Sequence, residues 1–238
     1  MPCEFSKDKI VFVGHCVTAK GVSPEPNKVK ATMEMPEPTN AEGVRRIMGM
    51  ANYLAKFLPH LASYTKSLKD LLSGKNKWCW GVQQKEAFQK LKIELSSLRG
   101  LAPYSLTAET CVAADASSYG LGAVLTQEQP TGTWRPIVFI SRCLTEAEKH
   151  YAQTEKEALA VAWACERLAP YIHGLRFKLE TDHKPLTGYS PEHETGNPRG
   201  TPQCIVKCRA RARQPVWWPG LSVEISHVHN TGQSTKNL

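Results

Sequence analysis

The sequence predicts an α/β protein of the α+β kind, in which a helical unit is followed by a mixed sheet with helix cover. Three observations carry this. Apolar residues recur at three- and four-residue intervals between Asn40 and Leu98, and they alternate between turn residues from 111 to 144. Helical spacing returns at 158, 161, 162, 165 and 168, ahead of a final strand-like segment, RFKLETDH. At 238 residues and 41% hydrophobic content, the chain is long enough for one large or two small domains with a packed core.

Taken in order, KIVFVGHCVTAKGV reads as a hairpin with Ile10, Phe12 and Cys16 near alternate positions and Ala19-Lys20-Gly21 as its turn. Prolines on both sides of the next stretch allow at most a short helix between Pro26 and Pro36. Asn40 is an N-cap for an amphipathic helix carrying Val44, Ile47, Met48, Ala51, Leu54, Phe57 and Leu58 and ending at Pro59. A second helix covers about 61 to 72. A third presents Phe88, Leu91, Leu95 and Leu98 on one stripe. The pattern changes near Gly100. Strands are expected at about 111–116, 120–127 and 135–143, joined by turns at glycines and at QPTGTWRP. Thr154 and Glu157 form an S/T-x-x-E capping signal for the next helix, and a fourth strand follows it. A strand that returns through a helix lies parallel to an earlier one, which makes the sheet mixed.

Domains are therefore expected at 1–100, 101–186 and 187–238, the last an irregular basic tail without periodicity. The formal charge of +8, from 30 Lys+Arg against 22 Asp+Glu, favours a polyanionic partner. No apolar run reaches the roughly 20 residues of a membrane span, so no membrane partner is expected. Eight cysteines without dense regular spacing, behind an N-terminus without a signal-peptide layout, point to reduced thiols in an intracellular compartment, cytoplasm or nucleus.

The stretch CVAADASSYGLGAVL holds a single acid, Asp115, among small and apolar residues. A buried carboxylate needs a cationic partner or gives up its charge. Glu157, early in a buried helix, and Asp182, at the end of the fourth strand, can join it if the first and fourth strands are neighbours. Three converging carboxylates call for a hard divalent cation, Mg2+ or Mn2+. Carboxylate clusters holding two such ions are the usual apparatus for cutting phosphodiesters. The residues alone support equally well a structural role, with Asp115 and Asp182 as turn or strand-end residues and Glu157 favoured by the helix dipole.

The segments DASSYGLGAVLTQ, RPIVFISRCLTEAEKHYAQTEKEALAVAWA and TDHKPL resemble, in order and spacing, the RNase H domain of gypsy-type LTR retrotransposon and retrovirus Pol polyproteins. The resemblance implies that Asp115, Glu157 and Asp182 bind the metals, and that the activity is hydrolysis of the RNA strand of an RNA/DNA hybrid. FVGHCVTAKGVSPEPNKVKA, MGMANYLAKFLPHLA and WCWGVQQKEAFQKLK are similar to the end of the reverse transcriptase palm, the thumb and the connection. No Asp-Asp pair occurs in the chain, so polymerase activity is not expected. Docking on other Pol-like subunits through the thumb helices is a further expectation.

The sequence also departs from the family. A fifth strand, a further helix and a fourth metal-binding Asp normally follow, yet no aspartate comes after Asp182. The RNase H-like sheet is therefore expected to be incomplete and the domain truncated. CIVKCRARARQPVWWPGLSVEI resembles instead the spacer of an integrase zinc-binding domain without its ligands, while LSVEISHVHNTG, with Val223, Ile225 and Val228 on one side, offers a rival fifth strand. Lys207, Arg209, Arg211 and Arg213 with Trp217 and Trp218 are candidate nucleic-acid contacts. Cys204, Cys208, His227 and His229 are weakly spaced for zinc, and Trp78 and Trp80 read as core. Against the nuclease stands a second reading, a non-catalytic nucleic-acid-binding or assembly remnant.

Overall fold

The computed structural model describes residues 7–73, 78–98 and 100–181 in full, and Val223–His227 by backbone alone. The first unit begins with three antiparallel strands, β1 (Lys9–Phe12), β2 (His15–Thr18) and β3 (Gly21–Pro24). The expected turn at Ala19-Lys20 joins β2 to β3. A second turn, at Val13 and Gly14, splits what the sequence suggested was one strand. Both of its residues have positive φ, 46° and 69°, as a two-residue hairpin loop requires. A β-branched residue rarely adopts that backbone; here the Tyr53 hydroxyl donates to the Val13 carbonyl and holds it.

Four helices follow: α1 (Pro26–Met33), α2 (Ala41–Tyr53), α3 (Leu61–Asp70) and α4 (Val82–Ser96). Asn40 caps α2 as expected, its side chain accepting from the Gly43 amide at 2.8 Å. The helix stops at Tyr53, short of Pro59, and a 3-10 turn at Ala55–Phe57 covers the gap. Proline forces Leu58 into extended backbone (φ −110°, ψ 116°), so the chain must leave the helix beforehand. Val44, Ile47, Leu54, Phe57, Leu58, Leu68, Phe88, Leu91 and Leu95 form one buried cluster.

The second unit is a five-stranded mixed sheet in the order β6-β5-β4-β7-β8. Its first three strands, β4 (Thr110–Ala116), β5 (Gly120–Glu128) and β6 (Trp134–Cys143), are antiparallel and lie where the alternation placed them. After the short α5 (Glu146–Lys149), helix α6 (Gln153–Ile172) crosses the sheet and delivers β7 (Phe177–Thr181) parallel to β4. The parallel return follows the crossover rule.

Two expectations are corrected here. The sheet does not stop at four strands: β8 (Val223–His227) pairs in parallel with β7, Phe177 opposite Val223 and Thr181 opposite His227. The rival reading of this segment as a fifth strand therefore holds for the pairing, and this part of the expected irregular tail belongs to the sheet. Nor do Thr154 and Glu157 cap α6. Ala152 occupies the N-cap, and the Glu155 carboxylate accepts from its amide at 3.1 Å.

The two units pack on each other. The Ala62 amide of α3 donates to Ser141 Oγ of β6 at 3.1 Å, and Phe139 of β6 packs against the helical cluster. Gly120 permits this approach, since a Cβ there would sit 2.8 Å from Ala62 Cβ and 2.7 Å from the Arg142 carbonyl oxygen. Ahead of the sheet, Leu101 pairs with Val22 of β3 through both backbone groups, at 2.9 and 2.7 Å.

Candidate active site

Alternation along β4 decides where Asp115 points. Val112, Ala114 and Ala116 enter the core shared with α6, so Asp115 projects from the opposite face and is exposed. The expectation of a buried carboxylate is thus overturned, because the apolar neighbours that suggested burial occupy the other side of the strand. Opposite Asp115 on β5 stands Gly122, and opposite Gly122 on β6 stands Ser141. These three share the face that α3 approaches. A small cavity opens there, lined by Asp115, Ser117, Gly122 and Ser141 of the sheet unit and by His60 and Ser63 of the helical unit.

Glu157 reaches the same strand edge-on. Ser117 donates its amide to the Gly120 carbonyl on the β5 side, so the groups of Ala116 point the other way, toward β7. Both are taken by α6: the Ala116 amide donates to Glu157 Oε2 at 3.2 Å, and Gln153 Nε2 donates to the Ala116 carbonyl at 2.9 Å. Gln153 also donates to Glu157 Oε1 at 2.5 Å. The Glu157 carboxylate is buried, at 3% exposure, and held beside the residue that follows Asp115. Burial of a carboxylate is tolerated because its oxygens accept from fixed donors.

The parallel register sets Ala113 opposite Glu180, and β7 ends at Thr181, which is also buried. Asp182 is the next residue and lies outside the described residues, as do His183 and the basic and aromatic positions Lys207, Arg209, Arg211, Arg213, Trp217 and Trp218. Among the described residues no group of three His, Cys, Asp or Glu side chains is arranged to hold a metal ion. The two placed carboxylates, one exposed and one oriented by hydrogen bonds, supply the hard oxygen donors that suit a divalent cation of the magnesium type. Their donor chemistry fits such an ion.

Beside the site, Arg142 and Glu148 make a bidentate pair at 2.7 and 3.0 Å, with the guanidinium 5.6 Å from the Trp163 ring of α6. Hydrogen bonds from Arg142 and then from Thr145 hold the Glu148 carboxyl down at about 2, against the opposing effect of burial. Gln153 and His60 were not anticipated from the sequence. Gln153 had a signal, lying four residues before Glu157 on one helix face. His60 had none, since it arrives from a different unit.

Residues 80–179 match the family described as the RNase H-like domain found in reverse transcriptase. Over 185 residues, 78% of its length, the chain is 34% identical to the retrovirus-related Pol polyprotein from transposon 412 of Drosophila melanogaster. Over 196 residues, 77% of its length, it is 35% identical to that from transposon gypsy of the same organism. It spans only 15% and 18% of the length of those two relatives. Among solved structures, the foamy viral protease-reverse transcriptase in complex with dsDNA superposes with a TM-score of 0.71 at 14% identity, covering 94% of this chain and 45% of that one. The same protein in complex with RNA/DNA hybrid gives 0.68 at 14% identity, covering 96% and 30%. At such identity the likeness establishes the fold. The chain carries an RNase H-like domain of the reverse-transcriptase kind and is a relative of the Pol polyproteins of gypsy-type LTR retrotransposons.

Proposed function

We propose that the chain is a metal-dependent ribonuclease that hydrolyses the RNA strand of RNA/DNA hybrids, with Asp115, Glu157 and Asp182 holding the cation. The single observation that supports this most is the placement of the Glu157 carboxylate on the Ala116 amide, one residue from the exposed Asp115. Mg2+ or Mn2+ bound there would supply Lewis acidity toward the phosphodiester and its attacking water. Gln153 fixes the rotamer of Glu157 and satisfies the Ala116 carbonyl, so the carboxylate does not reorient when charge arrives. Asp115, open to solvent, is the side from which a duplex backbone can approach.

In this reading residues 1–100 are the end of a palm with thumb and connection, and 101–186 with β8 make the nuclease unit. The positive balance of the chain, together with Lys207, Arg209, Arg211, Arg213, Trp217 and Trp218, serves phosphate and base contacts. No polymerase step enters, since the sequence has no Asp-Asp pair. Contacts with other Pol-like subunits through the helical unit belong to the same reading.

One observation favours a second reading, a nucleic-acid-binding remnant without catalysis: among the described residues no group of three His, Cys, Asp or Glu side chains is arranged to hold a metal ion. Incubation of the purified chain with a labelled RNA/DNA hybrid and Mg2+ or Mn2+, beside Asp115→Asn, separates the two. Cleavage by the parent and not by the variant supports the nuclease. Hybrid binding without cleavage in either supports the remnant.

A further inference from the structure

The geometry points to His60 as a substrate contact, its imidazole donating a hydrogen bond to the phosphodiester backbone that lies over Asp115. This rests on the ribonuclease reading, and it adds to that site a residue from the helical unit.

His60 immediately precedes α3 and has left-handed backbone, φ 52° and ψ 31°. That conformation turns its ring over the sheet, where a Cβ at Gly122 would lie 3.4 Å from Nδ1. Gly122 is the direct partner of Asp115 on the same face, so the ring and the carboxylate border one cavity. Two of the serines of the cavity are already engaged. Ser117 Oγ accepts from the Tyr119 and Gly120 amides at 3.3 and 3.1 Å, and Ser141 Oγ accepts from the Ala62 amide. No hydrogen bond joins the His60 ring to any described residue. It is exposed, positioned by backbone conformation, and supplied with an N–H in either tautomer.

The occupant follows from charge and from the chemistry of the two walls: a carboxylate that suits a hard cation on the sheet and an N–H donor on the helical unit together match an anionic phosphodiester linkage. Asp115 would hold a cation at the sheet wall, which would supply positive charge for a phosphate oxygen, and the His60 imidazole on the helical-unit wall is placed to donate to another. The helical unit thereby fixes the position of the backbone relative to the carboxylates.

The test uses His60→Gly and His60→Asn in the full chain, since both residues accept left-handed backbone and keep the fold. Affinity for an RNA/DNA hybrid is measured by fluorescence anisotropy with Ca2+, a hard divalent cation, in place of Mg2+, cleavage with Mg2+, and unfolding by heat. Binding by His60→Gly is expected to weaken about tenfold, the weight of one hydrogen bond to a charged group. His60→Asn, which retains a donor, recovers most of that loss, and neither variant melts below the parent. Unchanged binding and cleavage in His60→Gly overturn the proposal. So does equal loss in both variants accompanied by a lower melting temperature, which makes the residue structural. If the parent itself does not cleave, the ribonuclease reading fails, while the binding comparison still decides His60.

Discussion

Replacing Glu148 with glutamine isolates one charge in the support of the sheet. The glutamate side chain is 7% exposed and its partner Arg142 is 29% exposed, so water reaches the pair from the arginine side only. The carboxyl is held at about 2 against an ordinary 4.5. At roughly 1.4 kcal/mol per pH unit, that difference corresponds to about 3 kcal/mol, which solvent around Arg142 reduces to about 2. A folded-state value below the unfolded one means that this stabilisation is complete above about 4.5 and disappears as pH falls through about 2. Glutamine still accepts from the Thr145 amide, which the native carboxylate does at 2.8 Å, so the capping contact survives. Urea unfolding at neutral pH should place Glu148→Gln about 2 kcal/mol below the parent, and the gap should close as the pH is lowered through the acid range. Equal stability at neutral pH, or a gap that does not change with acid, would refute the assignment of the low value to the Arg142 pair.

Three further outcomes are expected. Glu157→Ala leaves the Ala116 amide buried without its acceptor and should cost about 1–3 kcal/mol, whereas Glu157→Gln keeps one acceptor oxygen for that amide but sets its NH2 against the Gln153 donor, so it should cost less than the alanine change while losing Mg2+ uptake, as calorimetry would record. Gly120→Ala pushes a methyl against the Arg142 carbonyl and Ala62, which should cost about 1–3 kcal/mol in denaturant unfolding. Gly49, in the interior of α2 with no atom within 4 Å of its notional Cβ, should give the opposite result, a gain of about 1 kcal/mol on change to alanine.

Local signals led furthest where one residue carries the whole instruction. Asn40 has the side-chain oxygen that starts α2, and Pro59 closes the segment behind it. The three antiparallel strands follow from alternation alone. Signals failed where a tertiary partner stabilises a poor local choice. Val13 takes a turn conformation that its branching opposes because Tyr53, forty positions later, anchors its carbonyl. Helix α6 starts at an alanine with no capping oxygen, so only Glu155 marks its beginning, and Thr154-x-x-Glu157 offered a more conspicuous imitation. A true box of that kind, Thr145-x-x-Glu148, opens the short α5. Of the site, Asp115 and Glu157 were identifiable by type and by family pattern, but their relation was not. The same alternation that located β4 also predicts an outward Asp115, and attention to its small neighbours obscured this.

The Val22–Leu101 pairing and the Ala62–Ser141 bond bear on how the protein can be dissected. A fragment excised at 80–179, the limits of the family match, would lose β3 and α3 together. It would strip Leu101 of its backbone partner, remove the surface on which Phe139 rests and delete the closing strand β8. The matched domain is therefore smaller than the unit that packs together, and a piece meant for independent expression should begin upstream of β3 and run through β8.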